Sequence, residues 1–202
     1  MAFTNLLSQD HIKNILIGIA NTQRIANGYL FVGPEKCGKT TAAKEFVKLI
    51  NCTAENNKPC GSCLSCTKLD NNKSVDFYQL QFENSIKIDQ IRELKKYVQF
   101  GPLESSWLCV NIPNAEKFTV DAANSFLKLL EEPPKNVFFI LETANADRLL
   151  KTIISRCQKI TFRQLDQKSL ETILQQNHPD NDISIEKLAA ISGGLLGNVQ
   201  FY

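Results

Sequence analysis

The sequence predicts an α/β domain built on a mostly parallel sheet, and three observations carry that reading. YLFVG (29–33), WLCVNI (107–112) and NVFFILET (136–143), with its apolar run VFFIL at 137–141, are short and largely apolar, as strands buried on both faces are. Segments of helical spacing alternate with them; in IDQIRELKKYVQF (88–100), Ile88, Ile91, Leu94 and Val98 share a face. Between the first run and the helix after it lies VGPEKCGKTT (32–41), a glycine-rich turn of the kind that cradles phosphates.

The remaining elements follow in order. Residues 1–26 read as helical, with Ile12, Ile15, Leu16, Ile19 and Ile25 apolar, and KTTAAKEFVKLI (39–50) is the helix after the loop. Residues 51–74 are polar, rich in Asn and Cys and without periodicity, so they are expected to be an insertion outside the core. DFYQLQF (76–82) is a strand candidate. VDAANSFLKLLEEPP (120–134) is a helix stopped by a proline pair, and ISRCQKITF (154–162) ends in a strand-like run. After residue 163 the strands stop. SLETILQQN (169–177) and SIEKLAAISGG (184–194) are short helices, and a third opens before Tyr202, which reads as a small helical domain cut short.

Bulk properties narrow the class. A chain of 202 residues, 43% apolar and 22% charged, has the composition of a soluble globular protein and is long enough for one good domain and a small second one. A net charge of +2 gives no overall signature of nucleic-acid binding. No apolar run approaches bilayer length, and the start MAFTNLLSQDH has no basic stretch followed by an apolar one. The expected location is the cytoplasm, with no membrane partner.

Gly33 to Thr40 fits G-x-x-x-x-G-K-[ST]. Gly33 and Gly38 let backbone N–H groups turn around the phosphates. Lys39 reaches the outer phosphates, the Thr40 hydroxyl can ligate Mg²⁺, and Thr41 continues the loop into the helix. ATP with Mg²⁺ is therefore the expected ligand. A hydrolysing enzyme also needs a carboxylate at a strand end to hold the metal, and usually a second acid to polarise water. The obvious strand, WLCVNI, ends in Pro113-Asn114-Ala115-Glu116. Proline offers no ligand, Asn114 accepts no proton, and Glu116 is expected to be a solvated surface acid. The loop is thus expected to hold nucleotide and hydrolyse it poorly or not at all.

Four of the seven cysteines, Cys52, Cys60, Cys63 and Cys66, form the pattern C-x7-C-x2-C-x2-C. Four thiolates suit a closed tetrahedral Zn²⁺ site with no open catalytic position. Disulfides are disfavoured in a reducing compartment. A redox C-x-x-C stays open, although its surroundings are not thioredoxin-like. A structural zinc would stand in for a hydrophobic core in the insertion.

Taken together, several stretches resemble the clamp-loader subunits of bacterial DNA polymerase III, the gamma/tau and delta-prime group of AAA+ proteins. They are GPEKCGKTT, the cysteine insertion, IKIDQIRELKKYVQFGPLESSWLCVNI, NSFLKLLEEPPKNVFFILET and TIISRCQ, and they span nearly the whole chain. The family's insertion has eight residues between its first two cysteines, and this chain has seven. The resemblance implies a nucleotide-binding domain at 1–163 with a zinc insertion at 51–67. It also implies a truncated helical lid at 164–202, with the family's C-terminal collar absent. It implies partners: gamma/tau and delta subunits in a hetero-pentameric ring that loads a sliding clamp on primed DNA. The arginine of the family's Ser-Arg-Cys motif reaches ATP on the adjacent subunit, which assigns Arg156 here as an arginine finger acting in trans.

Departures from the family pattern point to the delta-prime type. Pro113-Asn114 stands where the gamma/tau type has Asp-Glu. GGLLGNVQ (193–200) has no lid arginine, with Asn198 near that place. The tandem polar sensor is Thr143-Ala144, and the turn before the finger is Leu150-Lys151-Thr152-Ile153. An active gamma/tau-type ATPase and a purely structural ring subunit are the alternatives. No acidic pair is placed for two-metal nucleotidyl transfer, so any polymerase activity would belong to the holoenzyme.

Overall fold

A computed structural model describes residues 9–164. Five parallel strands form one sheet in the order β2-β3-β4-β1-β5, where β1 is Gly28–Val32, β2 Phe77–Gln79, β3 Leu108–Ile112, β4 Val137–Thr143 and β5 Gln158–Thr161. Helices α1 (Asp10–Thr22), α2 (Lys39–Asn51) and α3 (Leu64–Asp70) join the core on one face. Helices α4 (Ile88–Val98), α5 (Val120–Glu131) and α6 (Lys151–Ile154) join it on the other.

Strand alternation divides the core. Tyr29, Phe31, Cys109, Phe138 and Ile140 pack with the α1–α2 side, while Leu30, Val110, Ile112, Phe139 and Leu141 pack with the α4–α5 side. Both faces of the central strands are covered, so β1, β3 and β4 are mostly apolar, with Asn111 and Glu142 as buried polar exceptions. Phe138 is central: its ring meets those of Tyr29, Phe46 and Trp107 edge to face. The Thr119 hydroxyl accepts the Ala122 N–H and caps α5.

Two buried polar side chains tie loops to the sheet. Asp76 accepts backbone N–H bonds from Leu103, Glu104 and Ser105 at 2.7, 2.9 and 2.6 Å. Asn51, at the end of α2, exchanges two bonds with the backbone of Trp107, each 2.9 Å.

The sequence reading needs several corrections. Residues 51–74 are not wholly outside the core, because α3 lies within them and Leu69 is buried among the α2-side residues. Two turns of helix are too short for a periodic signal. Lys48 secures this helix by bridging Glu45 at 3.0 Å and Asp70 at 2.7 Å. The strand expected over 76–82 shortens to Phe77–Gln79, and the run 154–162 divides between the end of α6 and β5. The helix expected over 1–26 is described as Asp10–Thr22. The helical domain after 164, with Asn198, lies outside the described residues. Among the described residues no helix is long and apolar enough to cross a membrane.

Candidate functional site

The phosphate loop leaves the carboxyl end of β1 and opens α2. Gly33 is fixed by close approach, since a Cβ there would sit 2.7 Å from the Phe162 Cβ and 2.8 Å from its carbonyl oxygen. Gly38 has φ +93°, a left-handed conformation that favours glycine, and is the N-cap of α2. No side chain caps that helix, so its leading N–H groups and the positive end of its dipole face the loop. Lys39 is buried, and its ammonium donates to the carbonyls of Gly33 and Pro34 at 2.8 and 2.5 Å. The Cys37 thiol is buried nearby. Burial pushes its pKa up, and the Lys39 charge pulls it part of the way back.

The sheet places β4 beside the strand that carries the loop. β1 pairs with β4 and β5, whereas β3 is one strand further out. The Gly33 N–H donates to the Thr143 carbonyl at 3.1 Å, so the end of β4 lies directly under the loop. There the structure brings in a residue that sequence reasoning missed. Glu142 accepts a 2.8 Å hydrogen bond from the Thr40 hydroxyl. It is 4% exposed, and its other oxygen is buried without a partner. Burial pushes its pKa up, opposed by the Thr40 bond, the neighbouring Asn111 amide and the Lys39 charge. Asn111 lies beside the carboxylate on β3 and is fully buried, but its amide meets no partner at good hydrogen-bonding geometry. An acid and an amide at the ends of otherwise apolar strands were the available signal.

Glu116 is not the solvated surface acid expected. It is half-buried in the short 3₁₀ turn Ala115–Lys117, and one carboxylate oxygen is shielded without a partner. The turn folds it back toward protein instead of out to water.

The four cysteines of the insertion converge, with sulfurs all within 4.8 Å of one another. A tetrahedral zinc with sulfurs at about 2.3 Å would set them about 3.8 Å apart, so the group is close to the size needed and matches the soft donor set. The Cys60 N–H points to the Cys52 sulfur and the Cys63 N–H to the Cys60 sulfur, both at 3.3 Å. Bonds from the Ser62 hydroxyl and amide and from the Cys63 amide lower the Cys60 thiol to about 6. Burial raises Cys66 to about 12.

Arg156 lies at the other end of the sheet from the loop, just before β5 and beside Gly28, which opens β1. The five residues of β1 put roughly 17 Å between that end and the loop. Its guanidinium pairs with Glu131 at 2.6 Å and donates to the Thr152 carbonyl at 2.9 Å. The pair is exposed, with side chains 38% and 46% accessible.

Residues 8–166 match the family described as DNA polymerase III, delta subunit. The chain belongs to this family of clamp-loader subunits. It is 32% identical to DNA polymerase III subunit tau of Bacillus subtilis over 83% of its length, and 31% identical to the tau/gamma subunit of Haemophilus influenzae over 95%. It spans only 30% and 29% of those two proteins, about a third of their length. Among solved structures it superposes on a gamma-subunit-related protein of Thermotoga maritima with TM-score 0.59 at 22% identity, covering 89% of this chain and 57% of that one. It also superposes on the RuvB branch-migration motor of the same organism with TM-score 0.65 at 12% identity, covering 98% and 61%. These likenesses give an AAA+ fold.

Within this clamp-loader domain, the loop residues Gly33, Gly38, Lys39, Thr40 and Thr41 come together at one end of the sheet. Cys52, Cys60, Cys63 and Cys66 come together in the insertion. Arg156 joins neither group. Pro113 and Asn114 follow β3, one strand removed from the loop's neighbour.

Proposed function

We propose that this clamp-loader domain is delta-prime-like. It holds a nucleotide in the 33–41 loop without efficient hydrolysis and presents Arg156 to the ATP of a neighbouring subunit. The observation that carries the reading is the separation of the two parts. Roughly 17 Å of strand lies between the loop and Arg156, far beyond the reach of one side chain, so an arginine acting on phosphate must act on another chain's. Exposure of Arg156 supports the same reading. So does the end of β3, where Pro113 and Asn114 leave no acid to polarise water.

Cys52, Cys60, Cys63 and Cys66 would hold Zn²⁺ as a closed structural site that organises the insertion. Gamma/tau and delta subunits would complete a hetero-pentameric ring, and the sliding clamp and primed DNA would be met through that ring.

A second reading is an active gamma/tau-type motor, favoured by the tau and gamma names of the similar proteins. Nucleotide binding and ATP turnover, measured for the chain alone and then mixed with a gamma-type subunit, separate the two. Binding without turnover, together with stimulation of the partner, supports the delta-prime-like reading. Turnover by the chain alone, abolished by Lys39→Ala, supports the motor. Neither binding nor stimulation leaves a purely structural ring subunit.

A further inference from the structure

We propose that Glu142, at the end of β4, is the protein carboxylate that holds the magnesium ion of a bound nucleotide, replacing an acid at the end of β3. The proposal rests on the reading that the 33–41 loop binds nucleotide. The sheet order is its first support. β4, not β3, lies against β1, and the Gly33 N–H is bonded to the Thr143 carbonyl. Glu142 follows Phe138 and Ile140 at alternate positions, so it faces the α2 side, where Thr40 begins the helix.

Distance is the second support. The Glu142 Oε2 lies 2.8 Å from the Thr40 hydroxyl, the group that ligates Mg²⁺ in loops of this type. Two adjacent ligands of an octahedral Mg²⁺, each at about 2.1 Å, stand about 3 Å apart. The two oxygens therefore already have the spacing of neighbouring ligands. A water of the ion could bridge one of them at small cost, since Mg²⁺ keeps several of its waters.

The third support is incomplete satisfaction. Glu142 is 4% exposed, has one oxygen without a hydrogen-bond partner, and forms no ion pair among the described residues. Lys39 spends its short bonds on the Gly33 and Pro34 carbonyls. Asn111 is buried beside the carboxylate; its amide is close enough to draw the Glu142 pKa down but makes no hydrogen bond of good geometry. Buried acids are ordinarily paired or bound to a metal. A divalent cation at Thr40 would be met by Oε2, the oxygen that already stands at ligand spacing from the hydroxyl. This supplies a metal ligand but no base, which agrees with a site that holds nucleotide and turns it over poorly.

The test is binding of a fluorescent ADP to the full chain, in magnesium-free buffer and with Mg²⁺, for the natural protein, Glu142→Gln and Glu116→Gln. The natural protein is expected to bind more tightly with Mg²⁺. Glu142→Gln should lose about tenfold or more of the affinity gained on adding Mg²⁺, while Glu116→Gln retains that gain. A full Mg²⁺ gain in Glu142→Gln, or its loss in Glu116→Gln instead, overturns the proposal. So does ADP binding by the natural protein that is indifferent to Mg²⁺. Absence of ADP binding in both buffers marks failure of the nucleotide reading itself, and the proposal falls with it. If circular dichroism finds Glu142→Gln unfolded, Glu142→Asp decides. Its carboxylate is drawn back from Thr40, so a reduced gain supports the assignment and an unchanged gain refutes it.

Discussion

The two ends of the sheet treat charge in opposite ways. At the carboxyl ends of the strands, Lys39 and Glu142 are 8% and 4% exposed and held by short bonds to the loop. At the amino ends, Arg156 and Glu131 pair in the open. Buried charges are costly to desolvate, so their geometry is fixed by the fold, as a ligand arriving at one place would require. An exposed pair is worth at most about 1 kcal/mol, so its arginine can be surrendered to a stronger anion at little cost. On the proposed reading, one end would receive a ligand and the other would be offered to a partner.

The largest expected effect tests the offered end. Arg156→Ala should lower ATP turnover at the one neighbouring site it serves by about 10³-fold in a reconstituted ring. Arg156→Lys should not restore it, because a point charge lacks the planar fork. An unchanged rate would remove the difference between the ends.

Next comes the receiving end. Lys39→Ala should weaken nucleotide binding by the chain about tenfold to a hundredfold, by loss of charge-assisted bonds, as read by titration with a fluorescent nucleotide. Full affinity in that variant would mean that the loop does not hold phosphate.

A smaller effect belongs to the cysteine cluster, which joins the sheet near its amino ends through the Asn51–Trp107 link. Zinc analysis should give about one ion per chain. Zinc uptake by the metal-free chain should release fewer than four protons at pH 8. Cys60, with its pKa lowered to about 6, is already ionised there, while Cys66, raised to about 12, must still give up its proton. Lowering the pH through 6 reprotonates Cys60, so proton release should rise and affinity fall. Calorimetry in buffers of different ionisation enthalpy reads both, and pH-independent uptake would exclude thiolate ligation.

The smallest effect is expected for Glu131→Gln. It should change stability by less than about 1 kcal/mol in thermal denaturation. A loss of several kcal/mol would show that the pair is a structural anchor and that Arg156 is not readily released.

How much of this was legible in the sequence depended on the kind of signal. β1, β3 and β4 announced themselves because both faces of the sheet are buried, which leaves a largely apolar run. The turn at 33–41 between β1 and α2 was legible because its glycines fall at fixed spacing between a strand and a helix. The contact of Glu142 with Thr40 was not, because it depends on β4 lying beside β1, and strand order is a long-range property that no spacing records. α3 escaped because seven residues, mostly polar, carry no periodicity, although Leu69 reaches the core.

The tight fit of Gly33 against Phe162 bears on how the loop should be dissected. Any side chain at position 33 would collide with the backbone of the segment leaving β5, with or without a nucleotide present. An alanine scan through the loop would therefore mix two injuries. Replacing Gly33 would pry two neighbouring strands apart, whereas replacing Lys39 would remove a charge and leave that seam closed. A variant at Gly33 that binds no nucleotide would be evidence about carpentry, and only the lysine variant would be evidence about recognition.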